Sequence, residues 1–145
     1  MGNPRTILSK VKVGPLEESP QEEASEPAIN ELVEKVFTTR NLVHFAHWNT
    51  NSFAQHMALG DLYDQIVEDV DNIVETYQGE FGLLKGLETD SACLEGDIIA
   101  RIKGDSDWIK ANRTAISNGS STIQNLLDSL TNTYNRTLYK LNNLH

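Results

Sequence analysis

The sequence predicts an all-α domain, with four amphipathic helices packed as a bundle over residues 28–145 behind an extended tail of residues 1–27. Three observations carry this. Apolar residues recur at helical spacing through four long stretches. Clusters of Gly, Asn and Ser separate the stretches, and such clusters end helices and begin turns. Outside the tail, no stretch alternates apolar and polar residues as a strand does. A chain of 145 residues is long enough to bury one such core.

The tail opens on a short apolar run, Ile7 to Val13, made basic by Arg5, Lys10 and Lys12. Glu17, Glu18, Glu22, Glu23 and Glu26 follow, among Pro15, Pro20 and Pro27. It carries too little apolar surface to order itself. It reads as a solvated leader, or as an arm that docks on a neighbouring subunit or partner by adding a strand.

The first helix is expected to begin near Ser25-Glu26-Pro27, with Ser25 as cap and Pro27 in the first turn. Its apolar stripe is Ile29, Leu32, Val33, Val36 and Val43, and the same step reaches His47. Arg40 shares that stripe and is expected to pair with a carboxylate. Thr50-Asn51-Ser52 supplies a corner and a cap. The second helix runs from about Phe53 to Tyr77, burying Leu59, Tyr63, Ile66, Val67, Val70, Ile73 and Val74. Gly79, Gly82 and Gly86 mark 79–90 as a linker. The third helix starts after Asp90 and reaches about Ser117 on Ile99, Ile102, Ile109 and Ile116, with Gly96 and Gly104 as weak points where it divides if it is two helices. Trp108 is expected to pack on it. Asn118-Gly119-Ser120-Ser121 is a turn. The fourth helix buries Ile123, Leu126, Leu127, Leu130, Tyr134, Leu138 and Leu141.

Composition narrows the function. With 12 basic and 21 acidic residues the formal net charge is −9. Phosphate contacts need Lys and Arg, so nucleic-acid binding is not expected. An acidic surface instead attracts cations or a basic partner. The single cysteine, Cys93, excludes an internal disulfide, fits a reducing compartment and is expected to be inert. No run of 18 apolar residues exists, so no transmembrane helix is expected, and the N-terminus lacks the apolar stretch of a signal peptide. A cytoplasmic location follows as the expectation.

Three of the four histidines, His44, His47 and His56, gather in the stretch HFAHWNTNSFAQH at the first corner. Further along the second helix, Asp64, Glu68, Asp71 and Glu75 fall on one stripe. Stacked carboxylates repel one another by a few tenths of a kcal/mol per pair, roughly, and a bound cation offsets that. Iron and similar metals accept carboxylate oxygen and imidazole nitrogen together. His56 and Glu75 lie about 28 Å apart on one helix, so a single chain cannot bring both to one metal. A two-fold dimer with antiparallel second helices can.

The segment HWNTNSFAQHMALGDLYDQIVEDVDNIVE resembles the ferroxidase segment of Dps-type mini-ferritins. His47-Trp48, His56 and Asp71-x-x-x-Glu75 stand at that family's motif positions. FAQHMALGDLYD and IQNLLDSL…RTLYKLNNL are also similar to ferritin-like proteins of tailed bacteriophages. The resemblance implies a ferritin-like four-helix bundle, a homo-oligomer built from two-fold dimers, and iron bound between subunits. His47 and His56 would come from one chain, and Asp71 and Glu75 from its partner. Trp48 would be a core anchor beside the site, and His44 a surface or supporting residue. Two departures stand out. The corner between His47 and His56 is shorter than the usual Dps corner. Gly60 stands where the family carries a further carboxylate; Asp61 next to it points about 100° away, leaving Asp64 or His44 to compensate. The strongly basic tail of DNA-binding Dps proteins is missing. The expectation is therefore a Dps-like iron-binding and iron-oxidising protein. The alternative is a non-catalytic structural component of a phage virion, docking on virion proteins through residues 1–27.

Overall fold

The computed structural model of the chain describes residues 26–89 and 96–145. Among them the structure is all-helical: α1 is Ala28–Asn49, α2 Phe53–Phe81, α3 Ile98–Ser117 and α4 Ser121–Asn143. The tail of residues 1–25, with Ser25, and Cys93 in the link between α2 and α3 lie outside the described residues.

Each helix packs chiefly on two others, α1 on α2 and α3, and α4 on α2 and α3. One apolar core results. It holds Leu32, Val36 and Val43 of α1, Leu59, Leu62, Ile66, Val70 and Ile73 of α2, Ile102, Ile109 and Ile116 of α3, and Ile123, Leu127, Leu130, Tyr134 and Leu141 of α4. Burying each such side chain contributes about 1.5–3 kcal/mol. No described helix is long and apolar enough to cross a membrane.

The helix ends show where local chemistry decides. The Ser52 hydroxyl accepts from the Gln55 N–H at 3.3 Å and so caps α2. Ser120 caps α4 in the same way, accepting from the Ile123 N–H at 3.4 Å. Asn118 closes α3 in the left-handed region, at φ 48°, which Asn tolerates better than most residues. Pro27, expected in the first turn of α1, is instead the residue just before it, at ψ 138°, and provides no side-chain cap. Gly79 does not stop α2, which runs one turn further, to Phe81. Gly104 does not divide α3. At Gly104 the packing of Ile102 and Ile109 on either side outweighs a propensity cost of about 1 kcal/mol. After α2 the chain folds back on α1: the buried Asn30 amide donates to the Lys85 carbonyl at 2.8 Å.

The apolar face of α2 is rotated slightly from the expected one. Ala58 and Leu62 are buried, while Tyr63, Val67 and Val74 are only half-buried. Buried polar residues also line the helix contacts. Asp69 of α2 accepts from the Thr133 hydroxyl of α4 at 2.7 Å. The Ser106 hydroxyl of α3 donates to Asn135 of α4 at 3.1 Å. Asp105 of α3, 4% exposed, accepts from the Thr39 hydroxyl of α1. Arg101 lies one turn before it, with Nε 3.4 Å from Asp105 and donating to Thr39 Oγ1 at 3.0 Å.

Candidate metal centre

The corner between α1 and α2 is only Thr50-Asn51-Ser52, with extended backbone at Thr50 and Ser52. Polar side chains brace it. Thr50 Oγ1 donates to Gln55 Oε1 at 2.7 Å and accepts from the Ser52 N–H at 3.1 Å. So short a link lays the last turn of α1 beside the first turn of α2, which places His47 against His56.

Their contact is reciprocal. His47 Nδ1 lies 2.8 Å from the His56 carbonyl oxygen, and His56 Nδ1 lies 3.0 Å from the His47 carbonyl oxygen. A carbonyl oxygen only accepts, so each Nδ1 carries the proton and donates. In the neutral rings, both Nε2 atoms then keep a free lone pair. Backbone carbonyls behind metal-binding imidazoles fix tautomer and ring orientation in this manner and raise ligand basicity. The rings stack with centroids 3.7 Å apart and planes 24° apart. The His47 carbonyl belongs to the last turn of α1, where carbonyls lack helical partners, so the His56 ring also serves as a cap.

Gly60 makes this seat. A Cβ there would come within 3.2 Å of His47 Cε1 and 3.3 Å of His47 Nδ1. The imidazole of His47 occupies the space a side chain at 60 would need. Neither a carboxylate ligand nor even a methyl group fits without moving the ring.

Around the pair, Tyr63 stacks on His44 at 4.0 Å and meets the edge of His47 at 5.3 Å. His44 is half-buried beneath Trp48, at 4.2 Å between centroids. Two expectations are corrected here. Trp48 is not a core anchor; at 64% exposure it stands on the surface, because α1 turns it outward over His44. Among the described residues, Arg40 does not pair with a carboxylate. Its guanidinium sits 5.8 Å over the Tyr63 ring and donates to Asn41, because the neighbouring face of α2 offers an aromatic ring there.

Asp64, Glu68, Asp71 and Glu75 are all exposed on the outer face of α2. One chain brings His47 and His56 together, but leaves Asp71 and Glu75 several turns away. Among the described residues, no three His, Cys, Asp or Glu side chains gather closely enough to hold a metal ion. Asp61, beside Gly60, is taken by Lys140 of α4, with Nζ–Oδ2 at 2.8 Å. A single chain thus offers two oriented nitrogen donors, and oxygen donors only at a distance.

Sequence reasoning overlooked Gly60 as the seat of His47; the i, i+13 relation crosses a corner and leaves no periodic trace. It also overlooked the Asp105–Thr39–Arg101 group. An Asp at an otherwise apolar position of the third helix, one turn after an Arg, was the available signal.

The family model described as "Family of unknown function (DUF5856)" matches residues 47–141, which include both histidines, Asp71 and Glu75. No curated protein and no solved structure matches the chain.

Proposed function

We propose, for a chain that belongs to this family of unknown function, a Dps-like role on a ferritin-like four-helix bundle: binding ferrous iron between two subunits and oxidising it. The reading rests on one observation. His47 and His56 each donate Nδ1–H to the other's backbone carbonyl, which leaves each Nε2 as the ring's free lone pair. Asp71 and Glu75 of a partner chain, with α2 laid head to tail on α2, would supply oxygen donors that stabilise the ferric product. Iron is the substrate here; dioxygen or peroxide takes its electron. The chain's own work is to orient two imidazoles and to present carboxylates that cannot reach them within the same subunit. Ferric product would collect on the acidic surface of a homo-oligomer built from such pairs.

Subunit mixing tests this directly. His47→Ala/His56→Ala and Asp71→Asn/Glu75→Gln variants should each lose rapid Fe²⁺ oxidation, followed by absorbance. Co-refolded in equal amounts, they should recover about a quarter of wild-type activity, since half of random pairs carry one intact site of two. Full activity in either variant, or no recovery on mixing, rejects the shared site.

Gly60 favours a second reading. With no carboxylate at that position, and a Cβ there that would crowd the His47 ring, the histidine pair can serve as a structural clasp in a non-catalytic assembly protein, such as a virion component. Wild-type protein that binds no iron would support that reading.

A further inference from the structure

Two contacts fix the register of α2 against α4. Thr133 Oγ1 donates to Asp69 Oδ2 at 2.7 Å, and Lys140 Nζ pairs with Asp61 Oδ2 at 2.8 Å. The two helices therefore run antiparallel, and Arg136, between Thr133 and Lys140, falls level with Gln65. Between them lies a polar groove of about 570 Å³, a volume that suits a small ligand. Its banks differ in charge: Asp61, Asp64, Glu68 and Asp69 line it from α2, and Arg136 and Lys140 from α4. Asp61 and Lys140 satisfy each other. Asp69 is 8% exposed and is met by Thr133 and by the Gln65 amide, Nε2 to Oδ1 at 3.2 Å. Among the described residues Arg136 pairs with no carboxylate, and no cation pairs with Asp64 or Glu68. The register gives the reason. Arg136 faces an amide that Asp69 has already engaged, and the two open carboxylates stand to either side of that amide.

We propose that this groove binds a free basic α-amino acid. The ligand carboxylate takes two parallel hydrogen bonds from the Arg136 guanidinium, a geometry that suits arginine. Its two ammonium groups go to Asp64 and Glu68, which lie one turn apart, about 5–6 Å between Cβ atoms. Charge selects the class. Four acids against two cations leave the groove with two negative charges in excess. A neutral amino acid would leave one open carboxylate unmet, and a diamine would leave Arg136 unmet. A ligand with one carboxylate and two amines meets all three groups. The site is compatible with the metal reading above. Gly60 and Tyr63 mark the flank of α2 that meets His47, whereas Asp61 and Asp69 mark the flank that meets α4. None of His47, His56, Asp71 and Glu75 lines the groove.

Calorimetric titration of the full chain in chelator tests it, with L-lysine, L-norleucine and cadaverine as probes. Norleucine lacks the side-chain amine, and cadaverine lacks the carboxylate. Lysine should bind about tenfold or more tightly than either. Arg136→Gln should lower lysine to the level of cadaverine, and Asp64→Asn/Glu68→Gln should lower it to the level of norleucine, with helix content unchanged. Should a variant lose helix, the ranking of the three probes on the wild type decides instead. His47→Ala/His56→Ala should bind lysine as the wild type does even if it no longer oxidises iron, so this proposal and the metal reading fail separately. No lysine binding at millimolar concentration overturns the proposal. So does cadaverine that binds as tightly as lysine, which would reduce the groove to an acidic surface, or a folded Arg136→Gln variant with wild-type affinity. Nα-acetyl-lysine that binds as tightly as lysine also overturns it, and would assign the groove to the end of a peptide chain.

Discussion

Tyr134→Ala is expected to cost about 3–5 kcal/mol of stability, and Tyr134→Phe to cost nothing or to stabilise. Tyr134 is among the largest fully buried side chains, at 0% exposure, on the face of α4 that meets the other helices. Truncation to Ala removes its ring from the centre of the core and leaves a cavity that four packed helices cannot close. The hydroxyl behaves differently. It is buried without a well-formed hydrogen bond, although Asp105 is nearby. Burial, with the Asp105 carboxylate beside it, holds the phenol well above its usual titration range, so it is a neutral O–H whose contact with Asp105 is poorly formed. An unmet buried donor costs about 1–3 kcal/mol. Phe keeps the ring and deletes that cost. Urea midpoints of the two variants decide the matter. A loss above about 1 kcal/mol in Tyr134→Phe would show that Asp105 does accept the tyrosine proton.

Much of the helical frame was legible because periodicity survives tertiary packing. Ile102, Ile109 and Ile116 recur at one step of seven, and they are the apolar side chains that α3 buries most deeply. In α4, every apolar residue from Ile123 to Leu141 that the pattern marks is buried or packed against the core. What failed is instructive. The stripe on α2 was drawn through Tyr63, Val67 and Val74 rather than Ala58 and Leu62. Helical spacing alone admitted both flanks of that face, and packing buries the flank carrying Ala58 and Leu62 rather than the one carrying Tyr63, Val67 and Val74. Gly79 and Gly104 were overweighted as breaks, since propensity is a local term and burial is not.

The site was legible in part. Spacing along the chain marked His47 and His56 as neighbours at a corner, and they are. Nothing in spacing shows that each ring binds the other's backbone, because that depends on how tightly three corner residues bend the chain. The missing carboxylate at Gly60 was visible in the sequence. Its physical meaning, that the His47 ring fills the place, came only from the structure. Asp71 and Glu75 are exposed on α2, and whether they ever meet an imidazole depends on a second chain.

Asp105→Ala should destabilise the protein by about 2–4 kcal/mol, while Asp105→Asn should do less harm and change the response to pH. The alanine variant strands two buried partners. Thr39, fully buried on α1, loses its acceptor, and Arg101 loses the carboxylate one turn along α3. Arg101 still reaches solvent in part, which holds the cost toward the lower end of that range. Asn keeps the shape and can still accept from Thr39. The pH argument follows from burial. It pushes the Asp105 carboxyl above its ordinary range, against the Thr39 hydroxyl and the Arg101 and Lys35 charges that pull it down. A carboxyl raised in the folded state binds its proton more tightly there than in the unfolded chain. Its contribution is therefore fully present below the unfolded value of about 3.9 and is lost as pH rises through the higher folded value. Other carboxylates titrate in the same window, so the informative quantity is the difference between Asp105→Asn and the wild type. That difference should move in favour of the asparagine variant as pH rises from about 3 to about 7. A difference that stays flat, or moves toward the wild type, would mean that the Arg101 charge and the Thr39 hydroxyl outweigh burial and hold Asp105 ionised as a net stabilising link between α1 and α3.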